Sequence, residues 1–493
     1  MLLDCPPYLE YALKARGISR NQVKSIFLSH IHDDHCNIFP LVMFHERLKF
    51  LCTKEIFWMA CKKLSLMTMH DTEEFTSYFD FQELIPNEAN DFYGMKITPH
   101  YTVHSIPCIG ATFEMKCDGH NKSIVFVGDN KALPEIEKMV ETGSVTKEKY
   151  QNIQRLYYER FDIFAADGGM GILHGDPQDS IKSQSDLIVF MHLENLPDKF
   201  NASFTMASPG KRFILKEGSE VGQVIKTMHL LNHLYPKISE QWQNSLLNNI
   251  EITKYNAGDV IIKQGDTTKL DAFIILSGNV CVLYHDGKKF NDLAIHQAGD
   301  IIGEMAVLNN FRKRRASIIA ESPVMLGRVD GEILYAFLKH EGRIEANLKM
   351  LTIRTKLEQL FRTFGLSVIV NQQIASVATL IPVENDQVII KQNDTDQEFY
   401  IILEGKFLVT KDGKERAILR EREVFGEFGG LMNQPRNATV TSLGAGELIQ
   451  LKKEDFVHFA KEIPSFNYYL NQLMRDRNEL ASIINMPMHF PTK

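Results

Sequence analysis

Residues 30–35 read HIHDDH, three imidazoles and two carboxylates within six residues, directly after the apolar run SIFLS. A run of this kind leaving a buried strand crowds ligand-type side chains onto one loop. Imidazole nitrogen and carboxylate oxygen together suit a borderline divalent cation such as Zn²⁺ or Mn²⁺. Two more donors end apolar strand-like runs, Asp129 after SIVFVG and His192 after DLIVFM. His104 in YTVHSIPCIG and His174 in DGGMGILHGDP add further imidazoles. Asp129 is a carboxylate placed to bridge two cations.

A second chemistry is written twice in the C-terminal half. One copy reads FGEFGGLMNQPRNATV, with Gly426, Glu427, Arg436 and Thr439. The other reads IGEMAVLNNFRKRRASII, with Gly303, Glu304, Arg314 or Arg315, and Ser317. This cassette suits a cyclic phosphate on ribose. Small residues opening a short helix point backbone N–H groups at a phosphate. The glutamate accepts from a ribose hydroxyl, and the arginine neutralises the phosphate through charge-assisted contacts. Asn437 and Arg315, the residues after the candidate arginines, do not decide between adenine and guanine.

The elements that must position these groups differ between the halves. Before residue 200, buried strands (25–30, 123–129, 186–192) alternate with helical segments such as EIFWMACKKLSLM and PEIEKMVETG, which is α/β texture. Residues 201–248 read as an amphipathic helical linker. From 249 onward, short strands punctuated by Gly and Asp turns indicate small β jelly rolls. That texture repeats: VIIKQGDT (260–267) returns as VIIKQNDT (388–395), FIILSGNV (273–280) as YIILEGKF (400–407), and GEMAVL (303–308) as GEFGGL (426–431). Three blocks in conserved order are a duplicated domain. The expected divisions are 1–200, 201–248, 249–365 and 366–493, the last ending in a lid helix near 464–484.

Both repeats resemble the cyclic-nucleotide-binding domain of kinase regulatory subunits, ion channels and bacterial regulators. The resemblance implies cAMP or cGMP as regulatory ligand. Glu427 and Glu304 would take the ribose, and Arg436 the phosphate. In the first copy an extra loop residue leaves Arg314 and Arg315 as alternatives.

The N-terminal motifs resemble the metallo-β-lactamase superfamily, nearest its phosphodiesterase and ribonuclease Z-like branch. That implies an αββα sandwich and thus an α+β multidomain chain. It also implies two metal ions, one held by His30, His32 and His104 and the other by Asp34, His35 and His192, with Asp129 between them. Asp34 would also serve catalysis, and His174 would protonate a leaving group or replace His192 as ligand. The implied reaction is metal-dependent hydrolysis of a small phosphodiester. Two departures stand beside it. Family members carry several strands before the one at LLDC (2–5), and only 24 residues separate His104 from Asp129, where ribonuclease Z inserts its tRNA-gripping arm.

Composition narrows the function classes. A net charge of −7 argues against bulk nucleic-acid binding. No run approaches the roughly 20 apolar residues of a membrane span, so neither membrane nor channel is expected. Seven cysteines without a CxxC pair suit free thiols in the cytoplasm. About 55 residues after Arg436 leave no room for a DNA-reading domain, and no kinase motif set is present. The reading that follows is a cyclic-nucleotide-regulated metallohydrolase. The alternative is a non-enzymatic sensor with a structural or degenerate metal domain. A hydrolase that destroys its own regulator is a third case.

Overall fold

The apolar runs that end on polar residues become strands whose C-terminal ends release the loops carrying the candidate ligands. The computed structural model describes residues 1–485 except 45, 171, 197–199, 201–202, 217–219, 269, 310–312, 362–367 and 428–433. They form two compact units, one of residues 1–12, 23–40 and 48–220 and one of residues 13–22, 41–47 and 221–493.

The first unit holds a parallel four-stranded sheet, ordered Leu2–Leu3, Ser25–Phe27, Leu48–Cys52, Phe79–Glu83. A seven-stranded mixed sheet runs from Phe204–Met206 through Leu187–Met191, Ile163–Asp167, His120–Phe126, Ile109–Cys117 and Met95–Tyr101 to Asn90–Phe92. Phe27 joins the sheets through edge-on ring contacts to Phe113 at 5.5 Å and Phe126 at 6.2 Å. On the larger sheet, helices Leu133–Glu141 and Lys147–Tyr158 bury Ile136, Ile153, Leu156 and Tyr157 against Val125, Phe164, Ile188 and Phe190. Each such fully buried side chain contributes about 1.5–3 kcal/mol.

The second unit contains the repeat, and the duplication reaches the topology. The first module has one sheet ordered Ile250–Tyr255, Val324–Val329, Ala272–Ser277, Ile301–Ile302 and another ordered Val260–Ile262, Ser317–Ala320, Asn279–His285, Phe290–Gln297, and the second repeats both orders strand for strand. Even the bulges recur, at Val260/Ile262 and Val388/Ile390 and at Ile275/Ser277 and Ile402/Glu404. Ile262, Ile275, Val280 and Leu326 fill the first barrel as Ile390, Ile402, Phe407 and Leu448 fill the second.

Three features differ from the sequence reading. Helix in the expected linker begins at Glu220, with Glu220–Leu234 and Glu240–Asn248. Before it, Phe204–Met206 pairs in parallel with the strand ending at Met191; a three-residue edge strand is too short to show a period. The division expected at 365/366 lies outside the described residues, and helix Ile344–Phe361 gives Leu351 to the first module's core but Ile353 and Leu357 to the second's. Residues 13–22 belong with the second unit, where Ser19 Oγ donates to Gly278 O at 2.7 Å and Lys14 pairs with Glu321 at 2.5 Å. All seven cysteines are free. Among the described residues no helix is long and apolar enough to cross a membrane.

Candidate functional site

The loop after Ser25–Phe27 carries His30 into the interior, where Ser29 Oγ lies 2.9 Å from its Nδ1. His30 Nε2 then faces His32 Nδ1 at 3.1 Å, and His104 Nε2 approaches the same nitrogen at 3.0 Å. Asp129 Oδ2 stands 3.5 Å from both His30 Nε2 and His104 Nε2. On the other side, His35 Nε2 is 3.2 Å from Asp129 Oδ1, 3.2 Å from His192 Nε2 and 3.5 Å from Asp34 Oδ2. His174 Nδ1 is 3.6 Å from Asp129 Oδ2. All eight residues singled out in this half therefore meet in one cluster.

The donor set fits cations. Two imidazoles aimed at one ring nitrogen cannot both be satisfied by a single proton. Asp129 Oδ1 is buried without a hydrogen-bond partner, which is costly for a carboxylate unless a positive charge faces it. Ligand atoms of His30, His32, His104 and Asp129 lie within 4.8 Å of one another, as do those of Asp34, His35 and His192, and those of Asp129, Asp167, His174 and His192. Burial, reinforced by the surrounding histidines, pushes His30 down to about 2, so it stays in the neutral form a metal requires. Burial likewise raises the Asp129 carboxyl and lowers His104.

Two aspartates absent from the sequence reading hold this cluster in place. Asp4 accepts from Ser29 N at 2.6 Å and Ser29 Oγ at 2.7 Å, and grips His35 Nδ1 at 2.6 Å. This turns His35 Nε2 toward Asp129. Asp167, the last residue of Ile163–Asp167, contacts His174 Nδ1 at 3.1 Å and His192 Nδ1 at 3.2 Å. Burial opposes its charge, but His192 and the Asn130 and Gly169 amides hold it below the usual carboxylate range. Asp4 and His192 both have positive φ, 59° and 56°, a strained conformation that concentrates at functional positions. The signal for Asp167 was in the sequence, since DIFAAD ends on a carboxylate just as SIVFVGD does.

The cassettes are built alike. Arg314 Nη1 donates to Gly303 O at 2.8 Å, and Arg436 Nη1 to Gly426 O at 3.0 Å. Gln264 N donates to Ser317 Oγ and Gln392 N to Thr439 Oγ1, each at 2.9 Å. Of the two alternatives in the first copy, Arg314 makes the contacts that Arg436 makes in the second, whereas Arg315 is exposed, one residue out of phase with that pattern. Gly303 and Gly426 have φ of 79° and 92°, and a Cβ on Gly426 would stand 2.6 Å from Glu398 O. Only glycine fits there. Gly303 caps the short helix Glu304–Leu308; the matching residues 428–431 lie outside the described set. Sequence reasoning missed Arg354, which donates to buried Glu304 at 3.2 Å, and Arg477, which pairs with buried Glu427. Each follows its glutamate by 50 residues.

A cyclic nucleotide-binding domain family model matches residues 252–341 and 380–462, and a model described as Anti-Pycsar protein Apyc1 matches residues 1–148. The cAMP-dependent protein kinase regulatory subunit of Dictyostelium discoideum is 25% identical over 265 residues, covering 49% of this chain and 77% of that protein. The cGMP-dependent 3',5'-cGMP phosphodiesterase A of the same organism is 21% identical over 519 residues, covering 99% of this chain and 57% of that protein. A solved structure of the regulatory domain of Toxoplasma gondii PKA with cAMP aligns over 53% of this chain and 99% of that one, at 21% identity and a TM-score of 0.26. The C-terminal half carries two tandem cyclic-nucleotide-binding domains of β-jelly-roll type with flanking helices.

Proposed function

We propose that this protein is a cyclic-nucleotide-regulated binuclear metallohydrolase acting on a phosphodiester, with cAMP or cGMP as regulator. Residues 1–200, extended by the strand Phe204–Met206, would form a metallo-β-lactamase-type αββα sandwich, followed by helices and the two modules. The observation that carries the reading is the convergence of His30, His32, His104, Asp34, His35 and His192 around Asp129, whose Oδ1 is buried without a hydrogen bond. The match to the Apyc1 model and the similarity to a cGMP phosphodiesterase along nearly the whole chain support it.

His30, His32 and His104 would hold one divalent cation, Zn²⁺ or Mn²⁺, and Asp34, His35 and His192 the other, with Asp129 shared. Bound there, the cations supply Lewis-acid polarisation of a phosphoryl group and a nucleophilic water at neutral pH. The chain does the rest. Asp4 and Asp167 orient His35 and His192, and Asp167 holds His174 Nδ1, leaving His174 Nε2 to deliver a proton to a departing oxygen. His174 has a second reading as a ligand, because it forms a four-donor group with Asp129, Asp167 and His192.

Metal content tests the assignment. Protein purified with Zn²⁺ or Mn²⁺ should carry two ions per chain, and one or none after His32→Ala. No bound metal, with nucleotide binding intact, would favour the non-enzymatic sensor.

A further inference from the structure

Residues 13–22 and 41–47 fold with the second unit, while the stretch 23–40 between them in the chain folds with the first and carries His30, His32, Asp34 and His35. The earlier segment is held by buried polar groups. Ser19 is fully buried; its Oγ donates to Gly278 O at 2.7 Å and accepts from Ala298 N at 3.1 Å. Asn21, also buried, donates its Nδ2 to Ala298 O. Both backbone groups of Ala298 are thereby taken by the segment. Gly17 has a φ of 64°, and a Cβ there would stand 2.4 Å from Pro323 O, so only glycine permits this approach. In the later segment Leu41, Val42 and Phe44 are each no more than 1% exposed.

The second module provides the comparison. Gly299 N donates to Ile275 O as Arg422 N does to Ile402 O, and Glu321 N to Asn279 O as Leu443 N to Lys406 O. Ala298 and Gly299 are buried in the first module, whereas their counterparts Glu421 and Arg422 are exposed. The covered corner leads straight into the cassette. Asp300 O accepts from Ile275 N at 2.9 Å, the strand Ile301–Ile302 follows, and Gly303 and Glu304 come next. At its other end the segment runs through Val23 and Lys24 into the strand Ser25–Phe27, which leads to the candidate ligand loop 30–35. Helix Leu9–Ala15 crosses the boundary between residues 12 and 13 unbroken. We propose that residues 13–22 are the transmission element of this protein, through which nucleotide binding in the first module acts on the loop 30–35. The inference rests on the reading of a metal site under nucleotide control. A ligand shifts an equilibrium only by its differential affinity for the two states. The element must therefore be anchored beside the cassette, and the grip of Ser19 and Asn21 on Ala298 places it there.

Hydrogen exchange and steady-state turnover of the full chain loaded with Zn²⁺ or Mn²⁺, each with and without saturating cAMP or cGMP, test this. In the parent, one nucleotide should change exchange across residues 23–40 about five-fold or more. Ser19→Ala with Asn21→Ala should bind that nucleotide as the parent does by calorimetry and keep the basal turnover, yet lose the response of both exchange and turnover. Glu421→Ala, at the matching corner of the second module, should leave the response intact. If the double variant loses its unfolding transition, Asn21→Ala alone reads the same response. A variant that responds as the parent does, or a parent that binds nucleotide with no change across 23–40, would overturn the transmission while leaving nucleotide binding intact. Exchange that responds in the parent and not in the variant, in protein that hydrolyses nothing, would uphold the transmission while the hydrolase reading fails. No binding of either nucleotide would overturn both.

Discussion

Replacing Arg354 by leucine isolates the interaction that joins buried Glu304 of the first module to the helix behind it. The guanidinium is 6% exposed and lies 3.2 Å from Glu304 Oε1 and 3.2 Å from Glu358 Oε1, carboxylates that are themselves 6% and 9% exposed. Burial works against its charge, but the two glutamates and Asp300 outweigh it and hold it above the usual guanidinium range. Leucine leaves two buried carboxylates without their cation. Breaking a buried ion pair in this way costs about 3–5 kcal/mol, or roughly 6–20 °C of melting temperature for a unit of this size. Acid should relieve the loss. Burial already raises Glu358, and a carboxyl whose folded pKa exceeds its unfolded value gains stability as pH falls through that window. Thermal unfolding of parent and Arg354→Leu at pH 7.5 and 5.5 measures this, and adding Glu358→Gln should recover part of the deficit at pH 7.5. An unchanged transition, or an equal deficit at both pH values with no rescue, would refute the argument.

Further outcomes follow from single contacts. His296 is buried; burial opposes its charge, but the Asp300 carboxylate 3.4 Å from its Nδ1, together with Glu358, outweighs burial and the repulsion of Arg354, so it titrates above the usual range. Its contribution is therefore complete below about pH 6.5 and lost as pH rises through the folded pKa, and urea midpoints from pH 5.5 to 8.5 should lose this slope in His296→Leu. Gly426→Ala forces a Cβ to 2.6 Å from Glu398 O and 2.9 Å from the Arg436 guanidinium; nucleotide affinity of the second module should fall about ten-fold or more by calorimetry, for a strain of about 1–3 kcal/mol. Asp167→Asn removes the charge that orients His174 and His192, and turnover of a chromogenic phosphodiester should fall roughly 10–100-fold.

What the sequence disclosed depended on how local each signal was. The candidate ligand loop is contiguous and follows an apolar strand, so His30, His32, Asp34 and His35 declare themselves together, Asp129 and His192 join them at the ends of other apolar runs, and His104 adds a further imidazole. Asp4 and Asp167 each stand alone in sequence, and only the folded sheets bring them to His35, His174 and His192. The choice between Arg314 and Arg315 could not be made in a loop one residue longer than its repeat; the Gly303 carbonyl makes it. Arg354 and Arg477 lie on helices far along the chain from their glutamates. Their common spacing of 50 residues was visible, but only a reader who already knew the partner would look for it. The strand Phe204–Met206 lies in a stretch whose sequence reads as helical, because three residues carry no period.

The central claim is a metal site under nucleotide control. Steady-state hydrolysis of a chromogenic phosphodiester by the full chain, with and without added Zn²⁺ or Mn²⁺ and with and without cAMP or cGMP, addresses it directly. Turnover should require the metal, change with one of the nucleotides, and be lost in Asp129→Asn. Metal-loaded protein that turns over nothing, or activity that survives Asp129→Asn, would contradict it.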